Sequence, residues 1–134
     1  MNSNASVRWG WLKAMYVLTI IFGGGFGFAA LFVPAVVRSQ FRFPAQDPAS
    51  LGLYGSYALA AGLVAILALR SPLKFVPLLF VQLIYKPIWL VVVAMPLFIK
   101  GQFPFYIVVN SAIFLTFIIG NLIAIPFSYL FAKN

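Results

Sequence analysis

The chain has 134 residues, 64% of them hydrophobic, with nine Lys or Arg, a single acidic residue, no histidine, no cysteine and a formal net charge of +8. So few charged side chains cannot solvate a soluble domain of this length, and composition predicts an integral membrane protein. The missing residue types exclude Cys or His ligation of zinc or haem, disulfides and Ser-His-Asp triads, and a lone carboxylate excludes paired-carboxylate catalysis or a hard-cation cage within one chain. No cofactor is expected, and self-contained catalysis is not the expected role. The cations stand in ones and twos at the edges of four apolar runs, a pattern that suits anionic lipid headgroups and not nucleic acid.

Residues 1–13 end in Arg8, Trp9, Trp11 and Lys13, the indoles and cations expected at headgroup level, and read as an interfacial anchor. The first predicted helix covers residues 14–37. Its apolar stretch exceeds the roughly 7–15 residues of a signal h-region, so an uncleaved helix is expected. Gly23, Gly24, Gly25 and Gly27 remove the side chains from much of one turn near its midpoint. No strand precedes them and no lysine follows, which excludes a phosphate loop. Two uses remain: close helix packing, with Gly23 and Gly27 at small-xxx-small spacing, or the wall of a ligand cavity.

The connection from Arg38 to Ala49 is the longest and most polar. Within it, Asp47-Pro48 suits a helix start, with aspartate as N-cap and proline at the first helical position, so the only acid is expected to cap. The second predicted helix, residues 49–69, carries Ala58, Ala61, Ala65 and Ala68 at intervals of three or four, with Gly62 beside them. That smooth face suits tight packing. Tyr54 and Tyr57 lie one turn apart on it, and a buried phenol seeks a hydrogen-bond partner. The short turn from Arg70 to Lys74 makes the second and third helices antiparallel neighbours.

The third predicted helix, residues 75–99, has Pro77 in its first turn, Pro87 at its centre and Pro96 near its end. The fourth, residues 103–131, has Pro104 at a first helical position and a bend at Pro126. Tyr106, Asn110 and Asn121 fall on one side of it, with Phe114 and Phe117 between them, and interhelical hydrogen bonding is the ordinary use of such asparagines. Arg8, Lys13, Arg70, Lys74 and Lys133 lie opposite Arg38, Arg42 and Lys100, an excess that places both termini in the cytoplasm.

Lys86 alone breaks the pattern of cations at run ends. In a helix it lies about 18 Å from Lys74 and about 21 Å from Lys100, too deep to snorkel to water. A charge at that depth costs a few kcal/mol or more and marks a functional site. Gln82 precedes it by four residues and Trp89 follows by three, so the three form one polar stripe, while Pro87 leaves the carbonyl of Leu83 without its helical partner. Asp47 belongs to the outer end of the second helix and is too distant for a direct ion pair. Four arrangements would satisfy the lysine. It is neutral, because burial disfavours the charged amine, and is met by Gln82, Tyr57, the freed carbonyl and an asparagine. It binds the anionic or carbonyl head of a lipophilic molecule such as a fatty acid, a quinone or a sterol-like compound. It pairs with an acid on another subunit. Or a ring of such lysines in a homo-oligomer selects anions.

The segment YGSYALAAGLVAILALRSP, residues 54–72, followed by the polar-centred third helix, resembles the DoxX-like group of small four-helix membrane proteins. The likeness lies in a glycine-and-alanine helix, a short basic turn and a conformable third helix. It implies a compact four-helix bundle with its function in the bundle interior or at a partner surface. Named members of such families look like accessory subunits of quinone-linked or other membrane redox systems. The chain lacks an acidic residue in the second helix and any cysteine, so no catalytic residue is carried over.

The expectation is an all-α polytopic membrane protein, a single antiparallel four-helix transmembrane domain over residues 1–134, placed in a bacterial inner (plasma) membrane. Its expected role is non-enzymatic: an accessory subunit or a lipophilic-ligand-binding bundle with an internal polar site of Lys86, Gln82, Tyr57, Trp89, Asn110 and Asn121. The alternative is a small homo-oligomeric channel or transporter for an anion or small solute, which needs a water path along Gln82, Lys86 and Asn110. Expected partners are the lipid bilayer with its anionic lipids, a lipophilic small molecule, and a larger membrane complex or a homo-oligomer. A membrane enzyme would need an external cofactor or partner to supply the missing acid/base groups.

Overall fold

The computed structural model describes residues 7–44 and 47–133, and the regular structure among them is entirely helical. Four helices are long and apolar enough to cross a membrane: α1 (Trp9–Phe32), α3 (Pro48–Ala68), α4 (Val76–Ile99) and α5 (Phe105–Ala124). Two short helices accompany them, α2 (Pro34–Phe41) and α6 (Phe127–Leu130).

Prolines set most of the boundaries. Pro34 drives the preceding Val33 out of the helical region, to φ −137° and ψ 57°, and so separates α1 from α2. The predicted helix over 14–37 is therefore two helices, and α1 starts at Trp9, inside the expected anchor; residues 1–6 lie outside the described chain. α2 ends at Arg42, whose left-handed φ of 56° turns the chain away. Arg38, expected at the start of a loop, is in helix α2. Pro126 likewise puts Ile125 into an extended conformation, ψ 123°, so the expected bend in the fourth helix is a break between α5 and α6. That break frees carbonyls at the end of α5, and Arg8 Nη1 donates to one of them, Ile123 O, at 2.8 Å. Asp47 caps α3 as expected: its Oδ2 accepts from the Ser50 N–H at 3.2 Å, with Pro48 in the first turn.

Two segments widen from α to π winding, Thr19–Gly24 in α1 and Leu90–Ala94 in α4. In α1 the Thr19 hydroxyl donates to Met15 O at 2.8 Å, competing for a carbonyl of the helical ladder just before the glycine run. In α4 the widened turn follows Pro87, whose missing N–H already interrupts the ladder, and the Met95 N–H bonds to Leu90 O five residues back.

Small residues hold α1 against α3. A Cβ on Gly27 would stand 2.6 Å from Gly55 O and clash with the Leu59 backbone, and a Cβ on Gly62 would stand 2.5 Å from Gly24 Cα. The glycine run thus serves close packing, and the alanine face opposite it, Ala58, Ala61, Ala65 and Ala68, is buried. α5 packs on α1 through Met15 at Gly120 and Phe22 edge-on to Phe117, and on α4 through Trp89 edge-on to Phe114. The core centres on Leu12, Met15, Tyr16, Ala65, Leu79 and Phe117, towards the end of the molecule where Tyr16 Oη donates to Pro72 O at 2.6 Å. The short Arg70–Lys74 connection predicts close neighbours, yet α3 and α4 touch only sparsely. They diverge from that turn and leave a gap above it.

Candidate ligand site

Lys86 is 4% exposed, on the inner face of α4 between the first turn and the π segment. Its Nζ donates to Gln82 Oε1 at 2.9 Å, one helical turn back, as the four-residue spacing predicts. Gln82 Nε2 in turn donates to Thr19 Oγ1 at 3.1 Å, and that hydroxyl donates to Met15 O. The chain of donors has one direction: the Gln82 amide must present its oxygen to Lys86, because its nitrogen is committed to Thr19. The nitrogen of Lys86 also faces three aromatic rings, 4.0 Å from the centroid of Phe117, 4.9 Å from Phe114 and 5.0 Å from Tyr85. Ring faces of this kind attract an ammonium, each contact contributing about 0.5–2 kcal/mol.

Among the described residues, no carboxylate joins this group. The single acid, Asp47, is exposed at the start of α3 and accepts from Ser50 through its backbone and its hydroxyl, at 3.2 Å each. If charged, Lys86 carries three donors, of which Gln82 takes one. Two are left for whatever occupies the space beside it.

That space is a cavity of about 360 Å³ between α1, α3, α4 and α5, lined also by Phe41 at the end of α2 and by Phe43 just after it. The size falls within the roughly 300–1,000 Å³ of small-molecule sites. Thr19, Gln82 and Lys86 line it, together with Tyr54, Tyr57, Tyr85, Tyr106 and Asn110, and the remainder is chiefly phenylalanine and small apolar residues. Gly23 contributes to this wall, so the glycine run has both of the uses open to it. A second hollow, a groove of about 840 Å³, adjoins the cavity and shares Tyr54, Tyr57, Tyr85, Tyr106 and Asn110 with it; Val81, Trp89 and Val93 form its α4 side. The groove occupies the gap between α3 and α4.

The sequence-predicted residues thus divide. Lys86, Gln82, Tyr57 and Asn110 line one cavity. Trp89 belongs to the groove and not to the cavity, because one further turn of α4 carries it outward against Phe114. Asn121 lies apart from both. It shares a side of α5 with Asn110, but eleven residues of helix separate them by about 16 Å, and a common face is not a common depth. Asn121 is fully buried, and neither amide atom has a partner among the described residues.

Thr19, Tyr85 and Phe117 are not among the site residues that the sequence predicts. Thr19 had a signal, being the one aliphatic hydroxyl within residues 14–37. The two rings had none, since Phe and Tyr occur throughout the apolar runs. No protein family, curated protein or solved structure matches the chain.

Proposed function

We propose that the chain is an integral membrane protein, an antiparallel bundle of α1, α3, α4 and α5 with both termini cytoplasmic, and that it binds a lipophilic molecule whose anionic or carbonyl head meets Lys86. Membrane insertion is supported by the four apolar helices and by large apolar side chains turned outward along them, such as Leu53, Val92 and Ile99 at 75%, 65% and 78% exposure. The pairing of Arg8 with Ile123 and of Phe43 with Tyr106, at opposite ends of α5, supports the antiparallel arrangement. Residues 54–72, through their resemblance to the DoxX-like group, point to the same bundle.

One observation carries the binding role: a lysine buried to 4% exposure, without a carboxylate partner among the described residues, opens onto an aromatic-lined cavity. A buried cation left alone costs several kcal/mol, and a ligand head that accepts its two remaining donors offsets that cost. The cavity also favours binding over conduction. Below Thr19 and Gln82 the closely packed core around Leu12, Met15, Tyr16 and Leu79 closes the bundle, so the polar lines meet a floor instead of continuing through. Organic extraction of the purified protein, followed by mass spectrometry, tests the reading. Wild type is expected to release a lipophilic species in near-stoichiometric amount and Lys86→Met to release little. Equal amounts from the two would overturn it.

A further inference from the structure

Resting on that reading, the geometry points to a narrower ligand: we infer a single-chain amphiphile with one carboxylate, a long-chain fatty acid in chemical class, bound with its head at Lys86 and its tail leaving sideways through the groove between α3 and α4. The head follows from charge. Among the described residues Lys86 is the only cation that lines the cavity, and, charged, it is a compact point charge with two donors to give, which matches one carboxylate. A phosphate head calls for a cluster of cations or bidentate arginine, and neither lines this space. The four phenols and Asn110 supply further donors without charge.

The tail follows from shape. The packed core lies at the base of the cavity, and Phe41 and Phe43 line its α2 end. The way out that the lining offers is the adjoining groove, which shares Tyr54, Tyr57 and Tyr85 with the cavity and has Val81, Trp89 and Val93 on its α4 side. It faces the side of the bundle, where acyl chains of the bilayer would lie, so a ligand entering from the membrane never has to cross water.

Trp89 makes this testable, because the other two tryptophans, Trp9 and Trp11, stand together near the start of α1. In the W9F/W11F variant, fluorescence reports Trp89 alone. Titration with 6,7-, 9,10- and 11,12-dibromostearate is expected to give saturable quenching whose depth depends on bromine position. The methyl esters of the same compounds, and the acids with K86M added, should bind at least about tenfold more weakly, the loss expected for one charge-assisted hydrogen bond. V93F, which narrows the groove and leaves Lys86 in place, should weaken the acids by several fold; a circular dichroism spectrum unlike wild type in K86M makes V93F and the ester the deciding comparisons. Esters that quench as strongly as acids overturn the carboxylate assignment. Quenching that is non-saturable, or unchanged by V93F, overturns the route. In either case an extracted species that depends on Lys86 would leave the broader binding role standing.

Discussion

At Lys86 the side chains around a single nitrogen set the chemistry. One acceptor, Gln82 Oε1, is fixed in orientation by Thr19 on its far side, and three ring faces lie within 4.0–5.0 Å. No partner carries a negative charge. Gln82→Glu would place a carboxylate where the amide oxygen now stands, one turn away, and give the lysine an internal counter-ion. The variant is expected to melt no lower than wild type while losing the bound anion, because the new carboxylate takes the ligand's place. Thermal denaturation combined with extraction checks this, and a variant that keeps its ligand would remove the charge-matching argument. Asn121 is the residue whose buried, unpartnered amide has no part in this scheme, and nothing in its surroundings explains it.

Among the elements, α1 and α3 depend on glycine for their approach. Gly27→Ala would press a methyl group into the backbone of Gly55 and Leu59, and the helices must separate to admit it. The expected loss is about 1–3 kcal/mol, the usual cost of overpacking. Gly25→Ala is the matched control, since nothing lies within 4 Å of the added carbon, and it should be neutral or gain up to about 1 kcal/mol from helix propensity. Melting midpoints in the same detergent separate the two, and equal losses would mean that the glycines serve flexibility and not contact.

The same elements show what the sequence could reveal. The Ala58 to Ala68 face was legible because small residues at helical spacing have a mechanical meaning even in an apolar run. The Asp47 cap was legible because a carboxylate before Pro48 supplies the acceptor that a helix start lacks, whereas the breaks at Pro34 and Pro126 read in sequence as helix and as a bend, since a proline does not tell by sequence whether the helix resumes beyond it or ends. The divergence of α3 from α4 was not, since apolar residues cover every face of such helices and periodicity then says nothing about which face is inside. The π segments were also hidden, because a lone threonine or proline disturbs the helical ladder without specifying whether the helix bends or widens. For the site, polar residues marked the side of each helix correctly, but depth misled: Asn110 reaches the cavity and Asn121 does not.

For the molecule as a whole, its cations lie at helix ends and its one deep cation lies at a cavity. With no cysteine in the chain, single cysteines report topology directly. If the proposed topology holds, a cysteine at Ser71 should resist, and one at Gln102 accept, a membrane-impermeant maleimide added to intact cells, because that topology puts the turn before α4 inside and the turn after it outside. The reverse labelling would invert the topology.

The most direct measurement of the central claim is native mass spectrometry of the gently solubilised protein, wild type beside Lys86→Met. It weighs protein, ligand and any second subunit together. A monomer that carries one small lipophilic mass, absent in the variant, is expected. Bare protein in both samples would contradict an internal ligand site, and an assembly whose partner chain leaves with the Lys86→Met change would assign the lysine's missing acid to another subunit.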